Sequence, residues 1–160
     1  MSGINEIVVA KLIDINASVA TAESCTGGLI AATLVDVSGA SAVFNEGYIT
    51  YSNEAKIKNL GVLSETLDEF GAVSQQTAAQ MAEGVRRTAN ADFGISSTGI
   101  AGPTGGTAEK PVGLVYIACS FLEQTIVKKL NLDGSREEIR RQAVDEALHL
   151  LNECIVKYKE

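Results

Sequence analysis

Residues 18–28 read SVATAESCTGG, and this stretch decides the fold. Its first part, 18–22, is short and apolar, which is typical of a buried strand. The glycine pair at 27–28 then opens a helix over 29–37, LIAATLVDV, which Gly39 is expected to end. A strand, a loop and a helix in direct succession predict an α/β domain, in which loops at strand ends are the usual place for a functional site.

Apolar period and capping residues predict the remaining elements on both sides of this stretch. We expect further helices over 4–16, 54–60, 64–70, 75–90 and 136–158, and further strands over 46–51, 91–98, 112–120 and 124–132. The last two strands are close enough in sequence to form an antiparallel hairpin. We therefore predict a single three-layer α/β/α domain over residues 1–160, with a mixed, mostly parallel sheet of about five strands and one late antiparallel hairpin.

Composition restricts the classes of partner. The chain has 160 residues, 46% of them hydrophobic and 21% charged, with a net charge of −7. An acidic surface argues against nucleic-acid binding, although a few local cations can still hold one phosphate group of a small substrate. The three cysteines, Cys25, Cys119 and Cys154, have no zinc-site spacing and suit a reducing compartment. We expect that the N-terminus is not a signal peptide and that no segment spans a membrane. These expectations predict a cytoplasmic protein.

The sequence lacks an obvious histidine base. The one histidine, His149, lies between leucines of the last helix, where a packing or surface role is the better interpretation. A Ser-His-Asp triad therefore has no base, and a serine hydrolase of this sequence would need a neutral lysine instead. Lys56 is a candidate because it follows the helix cap Ser52 by about one turn.

Two side chains could act with Lys56. Tyr51 stands at the end of the strand before it, where a hydroxyl could relay a proton, and Ser41 lies in a loop of small residues that a substrate can approach closely. On spacing alone, the better interpretation is that these residues have no catalytic role and are a loop serine, a strand tyrosine and a surface lysine.

The AESCTGG loop at 22–28 offers rival groups. Ser24 is either a second candidate nucleophile or a helix cap. Cys25 is a third candidate, but no histidine accompanies it, so buried packing is the better interpretation. The free N–H groups at the start of the following helix suit an anion. The sequence leaves open whether Glu23 and Ser24 touch substrate or only brace the loop.

A second glycine-rich loop, STGIAGPTGG at 97–106, follows a predicted strand. Its backbone can form a nest for a phosphate or a carboxylate, although an elaborate turn would also explain it. Basic partners for such an anion are Lys110, Arg136 and Arg140, of which the two arginines share one face of the last helix. Most arginines at that spacing are solvated or paired with neighbouring carboxylates.

Taken together and in order, seven motifs closely resemble the CinA C-terminal domain family. They are AESCTGG, GASAVF, YSNEAK, GAVS, STGIAGPTGG, EKPVG and REEIRRQA, and they cover the chain from about residue 4 to its end. Stand-alone bacterial members of this family are nicotinamide-nucleotide amidases. Longer members carry an N-terminal pyrophosphatase-like domain, and its activity is not expected of this chain. Some members are inactive as amidases.

The resemblance implies hydrolysis of nicotinamide mononucleotide to nicotinate mononucleotide and ammonia, without metal or cofactor, in a homodimer. It implies Ser41 as the nucleophile, with Tyr51 and Lys56 as its activating partners. Thr98 and Gly99 match substrate-contacting positions of the family.

Substrate binding is also expected from the two loops and from the last helix. The loops add Ser24, Gly27 and Gly102 to the expected substrate-binding residues, and the resemblance implies one arginine, either Arg136 or Arg140. The alternatives are a non-catalytic nucleotide-binding or regulatory module on the same fold, and an amidase for a different small amide.

Overall fold

The computed structural model describes residues 2–160. Over these residues the α-helices are α1 Ile4–Asp14, α2 Leu29–Val35, α3 Asn53–Leu60, α4 Ser64–Phe70, α5 Gln75–Ala89 and α6 Arg136–Lys159. The strands are β1 Val19–Glu23, β2 Phe44–Ile49, β3 Phe93–Gly99, β4 Leu114–Phe121 and β5 Gln124–Asn131. A short 3-10 turn, Ala40–Ala42, precedes β2.

The five strands form one mixed sheet in the order β2-β1-β3-β4-β5. β1 pairs in parallel with β2 and with β3, whereas β4 is antiparallel to both β3 and β5. The parallel strands are joined through helices, as parallel pairing requires, and two residues alone connect β4 to β5. The predicted mixed sheet with a late hairpin is confirmed.

Helices cover both faces of the sheet. One face of β3, with Phe93 and Ile95, belongs to the large core that contains the apolar sides of α1, α2 and α6. The opposite face of β3 meets α5, where the Ser96 hydroxyl donates to the Ala78 carbonyl at 2.7 Å. A smaller core on that side joins β1 to α3, α4 and α5. The predicted three layers are therefore present.

The carboxyl ends of the three parallel strands meet at one edge of the sheet. Glu23 at the end of β1 is paired with Ile49 of β2 and with Ser97 of β3. The segments that follow, 24–28, 50–56 and 100–106, therefore converge at this edge. This is where ligand sites of open α/β sheets form.

Several expected boundaries were wrong by two residues, among them both ends of β2 and the end of α2. β2 begins at Phe44 rather than at residue 46 because Phe44 packs against the large core, and it ends before Tyr51, which lies in the following loop. α2 ends at Val35 with Asp36 as its C-terminal cap, so Gly39 does not end it. Gly39 instead adopts a φ of 93° and starts the 3-10 turn.

Candidate active site

Lys56 is buried at the end of the sheet and forms the centre of the site. Ser52 caps α3 by accepting a hydrogen bond from the Ala55 N–H at 3.0 Å, which aims the first turn back toward the sheet. The Lys56 amine lies 3.1 Å from the Ser24 hydroxyl oxygen, 2.8 Å from the Thr50 carbonyl oxygen and 3.2 Å from the Tyr51 carbonyl oxygen.

These three neighbours fit both protonation states of the amine, since an ammonium can donate to all three oxygens. A neutral lysine has two N–H donors and one lone pair, and the two carbonyls can only accept. With both N–H bonds on the carbonyls of Thr50 and Tyr51, the lone pair is left for the Ser24 hydroxyl. Burial lowers the pKa of Lys56 to about 8, because the charged form loses its water. Across residues 2–160, no carboxylate forms an ion pair with it.

Ser24 lies in a tight turn directly after β1. Its N–H donates to the Ser97 carbonyl at 3.0 Å, and its own carbonyl accepts from the Gly27 N–H at 3.1 Å. The side chain is 8% exposed, so it remains reachable from the edge of the sheet. The turn therefore presents one hydroxyl to the Lys56 amine and to the outside.

Glu23 braces this turn from within. Its carboxylate is 1% exposed and accepts from the Thr26 hydroxyl at 2.7 Å and from the N–H groups of Gly28, Ile30 and Ala31 at 3.1, 2.8 and 2.9 Å. The donors at the start of α2 are thus occupied by the protein's own anion, and the expectation of a free anion site there was wrong. Ser24 is not a helix cap either, since Gly28 stands at that position.

Cys25 is packed rather than reactive, as the sequence favoured. The thiol is buried, and burial raises its pKa to about 11, which keeps it protonated at neutral pH. Cys119 and Cys154 are buried in the large core as well.

The structure does not bring Ser41 to Lys56. Ser41 is exposed in the 3-10 turn that precedes β2, whereas Lys56 follows the end of β2. A six-residue strand spans about 20 Å, so the two side chains lie at opposite edges of the sheet. The expectation that Lys56 activates Ser41 is therefore corrected, and the hydroxyl at the amine is that of Ser24.

Tyr51 meets Lys56 through its main chain only. Its side chain is 63% exposed, and its hydroxyl accepts a hydrogen bond from Arg136 Nη2 at 3.2 Å. The Lys56 amine contacts the Tyr51 carbonyl. A proton relay from Ser24 to Lys56 through the Tyr51 hydroxyl is not supported by this arrangement.

The two arginines of α6 have different neighbours. Arg136 is exposed and bridges two loops, since its Nη1 donates to the Gly102 carbonyl at 2.8 Å while its Nη2 reaches Tyr51. Arg140 is half-buried and donates to the carbonyls of Cys25 and Thr26 at 2.9 and 3.0 Å. Neither arginine has a carboxylate partner within the described part of the chain.

The other expected binding residues surround the same edge. The Thr98 hydroxyl is buried and donates to the Ala72 carbonyl at 2.8 Å. Gly99 packs so closely on β4 that a Cβ there would lie 2.7 Å from the Leu114 carbonyl oxygen. Gly27 and Gly102 adopt φ values of 59° and 76°, which only glycine tolerates easily.

Two further groups lie away from the site or are occupied. His149 is exposed on α6, 3.7 Å from Asp145, as expected for a surface residue. The Lys110 ammonium donates to the Phe70 carbonyl at the end of α4.

Within residues 2–160, no group of three or more His, Cys, Asp or Glu side chains could hold a metal ion. No helix in that part of the chain is both long and apolar enough to cross a bilayer.

The sequence left the bracing role of Glu23 undecided and missed the loop contacts of Arg140. One signal for Glu23 was an acidic residue at the end of a buried strand before a glycine-rich helix start. Arg140 had no such signal, because its partners are main-chain carbonyls of a loop that is remote in sequence.

Comparisons with known proteins identify the family of the chain. Residues 1–155 match the family model described as CinA C-terminal domain. The chain is 56% identical over 155 residues to a protein of Acetivibrio thermocellus named for competence-damage induction, and 54% identical over 153 residues to a CinA-like protein of Kosmotoga olearia. These alignments cover 96% of this chain, which spans 38% and 37% of the length of the two relatives.

Solved structures share the whole fold. The competence/damage inducible protein CihA from Agrobacterium tumefaciens superposes with a TM-score of 0.88 at 46% identity, covering 94% of this chain and 95% of that one. A CinA superfamily protein from Klebsiella pneumoniae gives a TM-score of 0.93 at 36% identity, covering 96% of each chain. With the family model matched along nearly its full length, the chain belongs to the CinA C-terminal domain family.

Proposed function

We propose that this chain is an amidohydrolase that converts nicotinamide mononucleotide to nicotinate mononucleotide and ammonia, with Ser24 as the nucleophile and Lys56 as its base. One observation carries the chemistry. A buried amine without a carboxylate partner lies 3.1 Å from a serine hydroxyl, in a chain whose one histidine is exposed on another helix. The substrate is inferred from the family resemblance of the motifs at 22–28, 51–56 and 97–106.

The first half of the reaction forms an ester on Ser24. The Lys56 amine takes the hydroxyl proton while Ser24 Oγ bonds to the carboxamide carbon, which gives a tetrahedral oxyanion. The Lys56 ammonium then returns the proton to the nitrogen of the amide. The carbon–nitrogen bond breaks, and ammonia leaves.

The second half regenerates the enzyme. Water attacks the ester carbon while the Lys56 amine takes one of its protons. Collapse of the second tetrahedral intermediate breaks the bond to Ser24 Oγ, which recovers its proton from Lys56. The product is the carboxylate of nicotinate mononucleotide.

Arg136 and the loop that it contacts suit the 5′-phosphate. The guanidinium is exposed and donates to Gly102 in the glycine-rich segment 97–106, so a phosphate could replace or join these contacts. Binding energy from the remote phosphate would orient the amide for attack. Free nicotinamide should therefore be a poor substrate.

The test is release of ammonia from nicotinamide mononucleotide, with Ser24→Ala and Lys56→Arg as the decisive variants. Both should be inactive, because the first lacks the nucleophile and the second holds a group that cannot accept a proton at neutral pH. Ser41→Ala is the matched control and should keep full activity, since Ser41 lies at the other edge of the sheet.

Each other outcome has a definite meaning. Full activity in Ser24→Ala, or none in Ser41→Ala, would overturn the assignment of the nucleophile. Nucleotide binding without turnover by the unmodified chain would indicate a non-catalytic module. Turnover confined to other amides would change the substrate. The family resemblance also supports a cytoplasmic homodimer, which sedimentation of the purified chain can test.

A further inference from the structure

The Arg140 guanidinium binds the loop that carries Ser24. Its Nε donates to the Cys25 carbonyl at 2.9 Å and its Nη2 to the Thr26 carbonyl at 3.0 Å. One planar fork therefore fixes two consecutive peptide groups, those that follow Cys25 and Thr26. A substrate anion that bound to the same two guanidinium nitrogens would have to displace both carbonyls.

The carbonyl contacts also fix the direction of an amide. The atoms of a trans peptide unit lie in one plane, with the N–H pointing away from the carbonyl. Because Arg140 holds the Cys25 carbonyl, the Thr26 N–H of the same unit must point to the side opposite Arg140. The Gly27 N–H, in the next unit, is already donated to the Ser24 carbonyl.

Most main-chain N–H groups of this turn have acceptors. Ser24 donates to Ser97, Gly27 to Ser24, and Gly28 to Glu23. Within residues 2–160, the Thr26 N–H has no acceptor. The Cys25 N–H has only its own thiol sulfur beside it, which is a weak acceptor. Thr26 is fully buried whereas Cys25 is 7% exposed, so the Cys25 N–H is the one that a substrate oxygen can reach. It belongs to the peptide unit whose carbonyl, that of Ser24, accepts from the Gly27 N–H, and it therefore points away from Gly27.

We propose that the main-chain N–H of Cys25 is a donor of the oxyanion hole for the Ser24 nucleophile, and that Arg140 is the positioning residue that fixes the following peptide units and so holds the turn in place. Main-chain N–H groups next to a nucleophile serve this purpose in other hydrolases, where they stabilise the charge that develops in the transition state. This role rests on the proposed function only in requiring that Ser24 become acylated. In this assignment Arg136, and not Arg140, binds the substrate phosphate.

The first test compares Arg140→Gln and Arg140→Lys with Arg141→Gln in the full chain. Arg141 is the matched control because it is exposed on the same helix and pairs only with Glu137, at 3.2 Å. Arg140→Gln should lower kcat by about 100- to 1,000-fold, as the loss of an oxyanion donor does, with little change in KM. Arg140→Lys should recover part of the rate, since an ammonium can still hold one carbonyl, and Arg141→Gln should leave the rate unchanged.

A phosphate-binding role for Arg140 gives a different pattern. It would raise KM for nicotinamide mononucleotide and spare nicotinamide riboside, which lacks the phosphate. The oxyanion role requires the same fold loss of kcat with both compounds. A loss confined to the phosphorylated substrate would therefore overturn the assignment of Arg140.

A second readout separates this role from the identity of the substrate. Acylation by 4-nitrophenyl acetate needs Ser24, Lys56 and the oxyanion hole but no recognition of a nucleotide, and the labelled residue can be identified by mass spectrometry. Slower acylation of Ser24 in Arg140→Gln supports the assignment even if nicotinamide mononucleotide is not hydrolysed. If folded Arg140→Gln acylates at Ser24 as fast as the unmodified chain, the positioning role of Arg140 is overturned, while the proposed reaction stands. Failure of the unmodified chain to acylate at Ser24 overturns both.

Discussion

The Lys56 amine lies 3.1 Å from the Ser24 hydroxyl oxygen, although the two residues are 32 positions apart in the chain. Ser24 follows β1, Lys56 lies in α3 just beyond β2, and parallel pairing of β1 with β2 brings the two segments together. The amine is buried and has two carbonyls as further neighbours. The pair is therefore arranged for transfer of a proton from oxygen to nitrogen.

The reaction rate should depend on the protonation of Lys56. Because burial lowers its pKa to about 8, the active neutral form is the minor form at pH 7 and the major form at pH 9. We expect kcat/KM, which reports the pKa of the free enzyme, to rise about tenfold per pH unit well below pH 8 and to level off above it. Ammonia release measured between pH 6.5 and 9.5 checks this, and a flat profile over that range would contradict a lysine base.

Glu23→Gln should destabilise the protein and slow the reaction. The substitution turns one carboxylate oxygen into an NH2 group that faces main-chain N–H donors, so at least one charge-assisted hydrogen bond is lost. The expected decrease in the free energy of unfolding is about 2 kcal/mol. Urea unfolding measures it, with Glu69→Gln as the control because Glu69 is exposed. Equal stability of the two variants would show that Glu23 does not brace the turn.

Gly84→Ala should be destabilising although alanine is the better helix former. Alanine gains about 1 kcal/mol in a helix, but a Cβ at Gly84 would collide with the Leu60 carbonyl at the end of α3. Overpacking against a main chain costs about 1–3 kcal/mol or more. We therefore expect a net loss of about 1–2 kcal/mol, measured by thermal or urea unfolding.

The rate should fall as well in Gly84→Ala, because α3 carries Lys56. Gln75→Ala, at an exposed position of α5, is the matched control and should be neutral or slightly stabilising. A stabilised, fully active Gly84→Ala protein would mean that α3 and α5 can separate without disturbing the site.

Thiol reagents should leave the activity intact. All three cysteines are buried, and burial raises the pKa of Cys25 to about 11, so no thiolate is available at neutral pH. Ellman's reagent should label no thiol in the folded protein and three in denaturant. Rapid loss of ammonia release in step with labelling of Cys25 would restore the cysteine as a candidate nucleophile.

The sequence predicted most of the local structure because its signals are local. Ser52, Ser74 and Ser135 mark helix starts, and their hydroxyls do accept the expected main-chain hydrogen bonds. The starts of β3 and β4 lie two residues later than expected, and the start of β2 lies two residues earlier. There the packing of Phe44 against helices that are remote in sequence decided where pairing begins.

The candidate site was predicted only in part. Lys56 was found because no usable histidine exists, and that is a property of the sequence alone. The partner expected from the family resemblance was Ser41, whereas the structure places Ser24 at the amine and Ser41 before the other end of β2. The Tyr51 side chain proved to contact Arg136 rather than Lys56, because β2 ends before Tyr51 and the loop turns the hydroxyl toward α6.

The sequence by itself therefore determined most of the helices and strands and pointed to the Lys56 amine as a candidate base, since caps, apolar period and residue types act over a few neighbouring positions. Only the tertiary structure decided which hydroxyl meets that amine. β2 runs from the end of the sheet where the parallel strands begin to the end where they finish. Ser41 and Lys56 are therefore separated by the length of β2. Parallel pairing aligns the ends of β1 and β2, and this places Ser24 beside Lys56.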